Sequence, residues 1–237
     1  MPKHTFFAPD QPPGGAVPLP ADEAAHATRV LRLTQGDEVF VVDGAGTRSR
    51  AVLETVTKRG VVVRIQDTER ESPALGLRVT LAAALVKNAG RYETMLEKVA
   101  EIGAARVIPM TTRRTEQSRL RADRARKILV GAMKQSGSSW LTQLGEVTRF
   151  EKILDMREPD ALGIICHEAA DPGTRIADLV GPSHTDLFIL VGPEGGFTDD
   201  EVAKAVEAGF HLASLGRARL RAETASIVAL AACAQIR

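Results

Sequence analysis

Two segments of the chain carry residue types and spacing that could hold a ligand close to the backbone. In the first, residues 190–197, three glycines flank a proline and a glutamate and would let a ligand approach the main chain. Free N–H groups at the start of the helix predicted to follow would favour polar or anionic ligand atoms. The spacing matches neither the dinucleotide-binding fingerprint nor the phosphate-binding P-loop, so a structural strand-to-helix turn is the alternative interpretation.

The second segment, residues 214–225, is rich in arginine. Arg217, Arg219 and Arg221 occupy alternate positions. Three guanidinium groups so close together cannot all be buried without partners. The segment could bind a ligand and present cations to RNA, or it could be a surface loop with an internal Arg221–Glu223 ion pair.

The net charge of +1 conceals an uneven distribution along the chain. Residues 113–127 contain seven basic and two acidic side chains, a local charge of +5. Such a stretch could track the phosphates of a nucleic acid, or it could be a solvated helix face.

The cysteines and histidines of the chain argue against a disulfide framework, a nucleophilic thiol and a metal site. Two cysteines, Cys166 and Cys233, are too few for a disulfide framework, so we expect reduced, buried thiols. His167 follows Cys166, but sequence neighbours rarely bring sulfur and imidazole into reacting geometry, which disfavours a nucleophilic thiol. Five scattered histidines indicate no metal site. No apolar run approaches ~20 residues and no secretory signal is visible, so we expect a cytoplasmic protein without a membrane segment.

The first 70 residues predict mostly β structure. Predicted strands cover residues 38–42, 51–53 and 61–65, with a tight connection at residues 58–60 and a short helix at residues 26–33. Several short strands with closely spaced turns favour a small barrel. The charged segment 67–76 contains Ser72-Pro73 and Gly76, and we place a domain boundary there.

From Leu77 onward, apolar strand-length runs alternate with helical patterns. The strands are predicted at residues 77–86, 106–110, 162–166, 187–191 and 211–215, and the helices at residues 91–101, 122–135, 199–208 and 223–236. Thr198 and Glu201 predict a capping box at the third helix. This alternation indicates an α/β domain with a largely parallel sheet. The last helix is almost entirely apolar and is therefore expected in the core or in a subunit interface.

Together these segments resemble the SPOUT methyltransferases, whose catalytic domain is a trefoil knot. More closely, the chain resembles the RsmE family, which methylates N3 of one uridine in 16S ribosomal RNA. The resemblance covers nearly the full length, in the expected order. It is carried by residues 26–33 with Gly36-Asp37, Lys87-Asn88, residues 91–93, 97–103 and 133–136, and the loops 192–196 and 215–225. After Gln135-Ser136 the family usually has a basic residue two places on, where this chain has Ser138, so we assign no RNA contact there.

The resemblance implies a fold and a cofactor. The fold is α/β, with a small N-terminal PUA-like β-barrel in residues 1–70 that binds RNA and a C-terminal SPOUT trefoil-knot domain in residues 77–237. The knot is implied by the resemblance alone. Three loops would surround S-adenosylmethionine without a metal. The implied cofactor-binding residues are His167, Leu190, Gly192, Gly195, Gly196, Leu215, Gly216, Leu220 and Thr224.

The resemblance also implies catalytic residues and partners. Arg221 is our first candidate for stabilising the uridine N3 anion, and Glu194 or Glu223 could take the proton or orient that arginine. The implied RNA-binding residues are Arg29, Arg32, Arg113, Arg114 and Arg119. We expect a homodimer formed through the terminal helix, acting on the small ribosomal subunit.

Two other functional classes stay open. One is a non-catalytic RNA-binding protein with a degenerate knot domain, which the intact glycines disfavour. The other is a SPOUT enzyme that methylates a ribose 2′-OH or guanine N1, which the barrel-like segment at residues 29–37 disfavours.

Overall fold

The computed structural model describes residues 3–9, 11, 14–57 and 59–236. They form two compact units. The first contains the described residues up to Ser72 together with Met133–Leu141, and the second contains Pro73–Ala132 and the described residues from Thr142 onward. From the sequence we assigned residues 133–141 to the C-terminal domain. They join the first unit because Ser139 Oγ and Trp140 Nε1 both donate to Glu71, at 2.7 and 3.0 Å.

The first unit is built on a five-stranded sheet. Its strands are β1 (Thr5–Phe7), β2 (Gly15–Pro18), β3 (Glu38–Val42), β4 (Thr47–Thr57) and β5 (Gly60–Arg70). Their order is β1-β3-β4-β5-β2, and every pairing is antiparallel except that of β1 with β3. Alternate residues face a core that includes the fully buried Phe6, Val41, Leu53 and Val63.

Two strands extend beyond the apolar segments predicted at residues 51–53 and 61–65. β4 and β5 form one long hairpin whose pairing continues through polar residues as far as Thr47 and Arg70, so hydrophobicity marks only its buried half. β1 and β2 were not predicted, because each has only one buried residue. The connection predicted at residues 58–60 includes Lys58, which lies outside the described residues.

The short helix predicted at residues 26–33 begins and ends earlier than expected. It consists of α1 (Ala21–Ala25) and a π-helical segment, His26–Val30. Arg32 follows with a φ of 55°, a left-handed conformation that ends the helix before Leu33.

The second unit contains a seven-stranded sheet in which every pairing is parallel. Its strands are β6 (Arg78–Ala84), β7 (Arg106–Thr111), β8 (Gln143–Leu144), β9 (Thr148–Arg149), β10 (Leu162–Cys166), β11 (Asp186–Val191) and β12 (Phe210–Ala213). The order is β12-β10-β11-β6-β7-β8, with β9 also paired to β7. The predicted α/β class with a parallel sheet is confirmed.

Six helices complete the second unit, one of which continues into the first. They are α2 (Ala89–Ile102), α3 (Ala122–Ser136), α4 (Phe150–Leu154), α5 (Ile176–Leu179), α6 (Asp199–Glu207) and α7 (Ala222–Cys233). Local signals set their ends as predicted: Gly103 terminates α2 with a φ of 109°, and Thr198 and Glu201 form the capping box of α6. In the part of the chain that the structure describes, no helix is both long and apolar enough to cross a membrane.

The last strand and the last helix begin and end earlier than predicted. β12 covers Phe210–Ala213 and not residues 211–215, because the Ser214 N–H bonds the Thr174 carbonyl at 2.8 Å and the chain leaves the sheet there. α7 begins at Ala222 and ends at Cys233, although apolar sequence continues to Ile236.

Candidate active site

Three loops meet where neighbouring strands of the parallel sheet end. β12, β10 and β11 are adjacent, so the segments after Ala213, Cys166 and Val191 leave the same edge of the sheet. They surround a cavity of about 350 Å³, a size suited to a small-molecule ligand.

Most of the predicted site residues line this cavity. They are His167, Gly192, Glu194, Gly195, Gly196, Leu215, Gly216, Leu220 and Arg221. Leu190 and Thr224 do not line it. Leu190 is fully buried in the core below, which leaves only its backbone near the loop, and Thr224 is exposed on α7.

The glycines of the cavity serve two different purposes. Gly196 and Gly216 have φ values of 69° and 105°, in the left-handed region that favours glycine. A Cβ on either would meet no protein atom within 4 Å, so the space beside them is open. Gly192 and Gly195 are instead packed closely: a Cβ would lie 3.2 Å from the Phe197 ring and 3.3 Å from Arg114 Cδ, respectively.

One peptide of the glycine-rich loop has unused hydrogen-bonding groups. The Gly196 N–H donates to the Pro193 carbonyl at 2.8 Å and closes the turn. Neither the Gly196 carbonyl nor the Phe197 N–H bonds to any other described residue. A ligand in the cavity can therefore use one acceptor and one donor of the backbone here.

Two hydrogen bonds fix His167, one to its ring and one from its backbone. Its Nδ1 accepts a hydrogen bond from the Ala169 N–H at 3.2 Å, so the neutral ring carries its proton on Nε2. The backbone N–H of His167 donates to the Ala213 carbonyl at 3.1 Å, which ties the loop after β10 to β12. His167 is also one of the residues that line the cavity.

Arg221 has no side-chain partner among the residues that the structure describes. It is the exposed N-cap residue of α7 and lines the cavity. Glu223 lies two residues further on, but its carboxylate pairs with Arg91 of α2, at 3.7 Å between Oε1 and Nε. The Arg221–Glu223 ion pair considered above is therefore not formed.

Glu194 is held from the neighbouring loop. Its Oε1 accepts a hydrogen bond from the Lys87 N–H at 3.2 Å. The Lys87 ammonium pairs with Glu116 at 2.9 Å, which raises the pKa of Lys87 above its ordinary value. The Glu194 carboxylate is exposed at the cavity and fixed there by a backbone donor.

The arginines predicted to contact RNA fall into two groups. Arg29, Arg32 and Arg119 are exposed, and Val30 beside Arg29 is 65% exposed. Arg113 and Arg114 are exposed as well, but both already have protein partners. Arg113 pairs with Asp200 at 3.0 Å, and Arg114 Nη1 donates to the Gly195 and Phe197 carbonyls at 2.7 and 3.2 Å.

Several lining residues were not assigned to the site from the sequence. They are Arg114, Glu168, Ser214 and Arg219, among others. Ser214 begins the arginine-rich segment but was not assigned to the site, although its neighbour Leu215 was. The position of Arg114 carries no local signal, since its partners lie more than 80 residues away in the sequence.

Both cysteines are free and buried, as expected. Burial raises the pKa of Cys166 and of Cys233 to about 12, so both thiols are neutral near pH 7. Cys166 reaches the cavity wall but not as a nucleophilic thiolate. Within the described ranges, no group of three or more His, Cys, Asp or Glu side chains is arranged to hold a metal ion.

The parallel sheet with its loop-lined cavity defines a ligand-binding α/β domain, and the chain adds a second, smaller β unit. Comparison with known proteins identifies both. The RNA methyltransferase domain family matches residues 73–234, and the RNA methyltransferase PUA domain family matches residues 19–66.

Individual relatives agree over most of the chain. Ribosomal RNA small subunit methyltransferase E of Synechocystis sp. is 33% identical over 228 residues, covering 94% of this chain and 74% of that protein. A crystal structure named "probable rRNA-methyltransferase" from Porphyromonas gingivalis is 34% identical, with a TM-score of 0.89 and 98% of both chains covered. Ribosomal RNA small subunit methyltransferase E from Neisseria gonorrhoeae, bound to S-adenosyl methionine, is 28% identical, with a TM-score of 0.87 and 97% and 95% covered. The chain belongs to the RNA methyltransferase family of ribosomal RNA small subunit methyltransferase E, which confirms the resemblance drawn from the sequence.

Proposed function

We propose that this protein transfers a methyl group from S-adenosylmethionine to N3 of a uridine in 16S ribosomal RNA. The observation that carries the proposal is the cavity at the ends of β10, β11 and β12, which combines open glycine backbone with the unpaired guanidinium of Arg221. The names of its relatives, one of them bound to S-adenosyl methionine, support the same reaction class.

The residues of the cavity fit this cofactor. Its volume suits a small molecule, and the free Gly196 carbonyl, Phe197 N–H and His167 Nε2–H can bond the polar edges of an adenosine. The backbone beside Gly216, with Leu215 and Leu220, forms the rest of the wall. Together with Gly192, Gly195 and the backbone of Leu190, these residues would hold the cofactor, and Thr224 stays a predicted contact from the first turn of α7. When bound, S-adenosylmethionine supplies a methyl group on a positively charged sulfur, so the transfer needs no metal.

Arg221 and Glu194 are assigned complementary roles toward the acceptor. Uridine N3 must lose its imide proton, and the resulting negative charge spreads onto the two flanking carbonyl oxygens. The Arg221 guanidinium is free to stabilise that charge as it develops. Glu194, fixed by the Lys87 N–H, accepts the proton or orients Arg221.

Phosphate contacts would come from both units. The exposed Arg29 lies in the π-helical segment of the first unit and the exposed Arg32 follows it, and Arg119 is exposed in the second unit. With Arg113 they would position the RNA, whereas the cavity selects the base.

The terminal helix supports a homodimer. Ile227, Val228, Ala231 and Ala232 on α7 are each only half-buried in the single chain. A second copy would cover this apolar face, and two-fold pairing is the commonest symmetry for such contacts. We assign the small ribosomal subunit as the substrate and the cytoplasm as the location. The trefoil knot stays a prediction.

Nucleoside analysis of cells tests the proposal. Ribosomal RNA from cells with and without this protein is digested and compared by mass spectrometry. We expect N3-methyluridine to disappear from the 16S RNA when the gene is deleted and to return on complementation. Loss of a 2′-O-methylated ribose or of N1-methylguanine instead would assign the protein to another reaction of the same fold.

A further inference from the structure

We propose that Arg114 is a positioning residue that sets the conformation of the cofactor loop, residues 192–197. This inference rests on the proposed function, because it assigns S-adenosylmethionine to the cavity that the loop lines. It gives Arg114 a role different from the phosphate contact expected from the sequence.

The hydrogen bonds of Arg114 hold the loop on both sides of its free peptide. Its Nη1 donates to the Gly195 carbonyl at 2.7 Å and to the Phe197 carbonyl at 3.2 Å. These carbonyls belong to the peptide units immediately before and after the Gly196–Phe197 peptide. Fixing both neighbours fixes the direction of the unused donor and acceptor between them.

Packing between Arg114 and Gly195 supports the same role. A Cβ on Gly195 would lie 3.3 Å from Cδ and 3.4 Å from Cβ of Arg114, so the arginine stem lies directly on the glycine. Gly195 is not among the glycines with positive φ. Its missing side chain is therefore explained by the arginine and not by backbone conformation.

Arg114 itself emerges from an anchored turn. The turn Thr112–Thr115 is closed by the Thr115 N–H to the Thr112 carbonyl at 3.2 Å and by the Thr112 N–H to Thr115 Oγ1 at 2.8 Å. The Arg113 N–H donates to Oε1 of the buried Glu201 at 2.9 Å. The other oxygen of Glu201 caps α6, so the turn is fixed to the helix that follows the cofactor loop. A residue held this way can preorganise a binding loop.

The positioning role and the phosphate role predict opposite results. Loss of a phosphate ligand would reduce the salt slope of RNA binding by about one and leave cofactor affinity intact. Loss of a positioning residue would weaken cofactor binding and leave the salt slope intact. Arg119 is the matched control, since it is exposed in the same basic stretch and its side chain has no partner among the described residues.

Calorimetric titration of the full-length protein with S-adenosylmethionine decides between the positioning role and the phosphate role of Arg114. We expect Arg114→Ala to raise Kd by about tenfold or more, because hydrogen bonds from a charged donor are lost. Arg114→Lys should recover part of the affinity, since an ammonium can still donate to a carbonyl. Arg119→Ala should bind the cofactor like the wild type. In RNA-binding measurements at several salt concentrations, it should reduce the salt slope. Thermal unfolding midpoints confirm that each variant is folded.

A double-mutant cycle adds an independent test. Gly195→Ala should displace the arginine and weaken cofactor binding, and the double variant should be little worse than either single one. If the wild type does not bind S-adenosylmethionine, the proposed function fails and this inference fails with it. If the wild type binds but Arg114→Ala binds within about twofold of it, or loses only RNA affinity, the inference alone is overturned. Additive effects in the cycle would also contradict it. Should Arg114→Ala not fold, Arg114→Lys and Gly195→Ala provide the decision.

Discussion

Glu223 pairs with Arg91 across 3.7 Å, and not with Arg221 two residues earlier in the chain. The pair ties the first turn of α7 to α2 and engages the carboxylate that could otherwise have neutralised Arg221. An unpaired guanidinium at a ligand cavity costs little while it stays hydrated. It becomes most useful when negative charge develops beside it.

The first prediction concerns Arg221. Arg221→Ala should lower the single-turnover methylation rate by about a hundredfold or more, because a positioned charge that stabilises a developing anion is lost. RNA and cofactor affinity should change little, since only the transition state carries that charge. Arg217→Ala is the control, because Arg217 is exposed in the same loop but does not line the cavity. A near-normal rate for cofactor-saturated Arg221→Ala would exclude the catalytic role.

Gly196→Ala tests the left-handed backbone of the cofactor loop. A Cβ there meets no protein atom within 4 Å, so the cost is conformational, about 1–2 kcal/mol at a φ of 69°. We expect weaker cofactor binding, measured by titration, because the loop must shift to relieve the strain. Gly131→Ala is the control: its Cβ also enters open space, but the residue lies within α3 and alanine should stabilise the helix slightly. Equal cofactor affinity for both variants would remove Gly196 from the site.

The contact between Trp140 and Gly46 should be a point of high sensitivity in the first unit. A Cβ on Gly46 would overlap the Trp140 ring, whereas a Cβ on Gly36 meets no protein atom within 4 Å. The two glycines have nearly equal φ values of 98° and 95°. In urea unfolding, Gly46→Ala should therefore lose about 1–3 kcal/mol more than Gly36→Ala. Equal losses would show that the ring is not packed against Gly46.

The cysteine thiols should stay unreactive and link stability to pH at the alkaline end. The pKa of Cys166 is raised by burial from 9.0 to about 12, so the thiol stays protonated in the folded protein where the unfolded chain ionises. This thiol does not change the free energy of unfolding below pH 9.0. As the pH rises from 9.0 toward about 12, the unfolded chain ionises first and the free energy of unfolding falls. Cys166→Ser should flatten that decline in unfolding experiments. Rapid alkylation of the native protein at mildly alkaline pH would contradict the neutral thiol.

Sequence reasoning succeeded where the signal was local and failed where the partner was distant. The capping box of α6 and the end of α2 at Gly103 depend on a few neighbouring residues, and both were predicted correctly. The segment that contains Ser138 was recognised only by the absence of a basic residue. Its actual role is packing, because Trp140 bonds Glu71 and covers Gly46, far away in the sequence. No short-range pattern predicts such a pairing.

The same difference between local signals and distant partners applies to the candidate site. The composition of the glycine-rich loop, three glycines between a buried strand and a capped helix, is a local pattern that indicated either a ligand loop or a structural turn. The family resemblance then assigned it to the cofactor. The contacts that Arg114 and Glu223 make around this loop could not be predicted from the sequence. Arg114 is 81 residues from Gly195, and Arg91 lies on a different helix from Glu223, so neither contact follows from spacing.

Methylation by the purified protein tests the central claim most directly. Small ribosomal subunits from cells that lack this protein are incubated with it and with isotopically labelled S-adenosylmethionine, and the 16S RNA is digested and analysed by mass spectrometry. The account predicts label in N3-methyluridine at one position and no label with Arg221→Ala within the same time. Absence of labelled methyluridine with folded, cofactor-bound protein, or label on a ribose or a guanine, would contradict it.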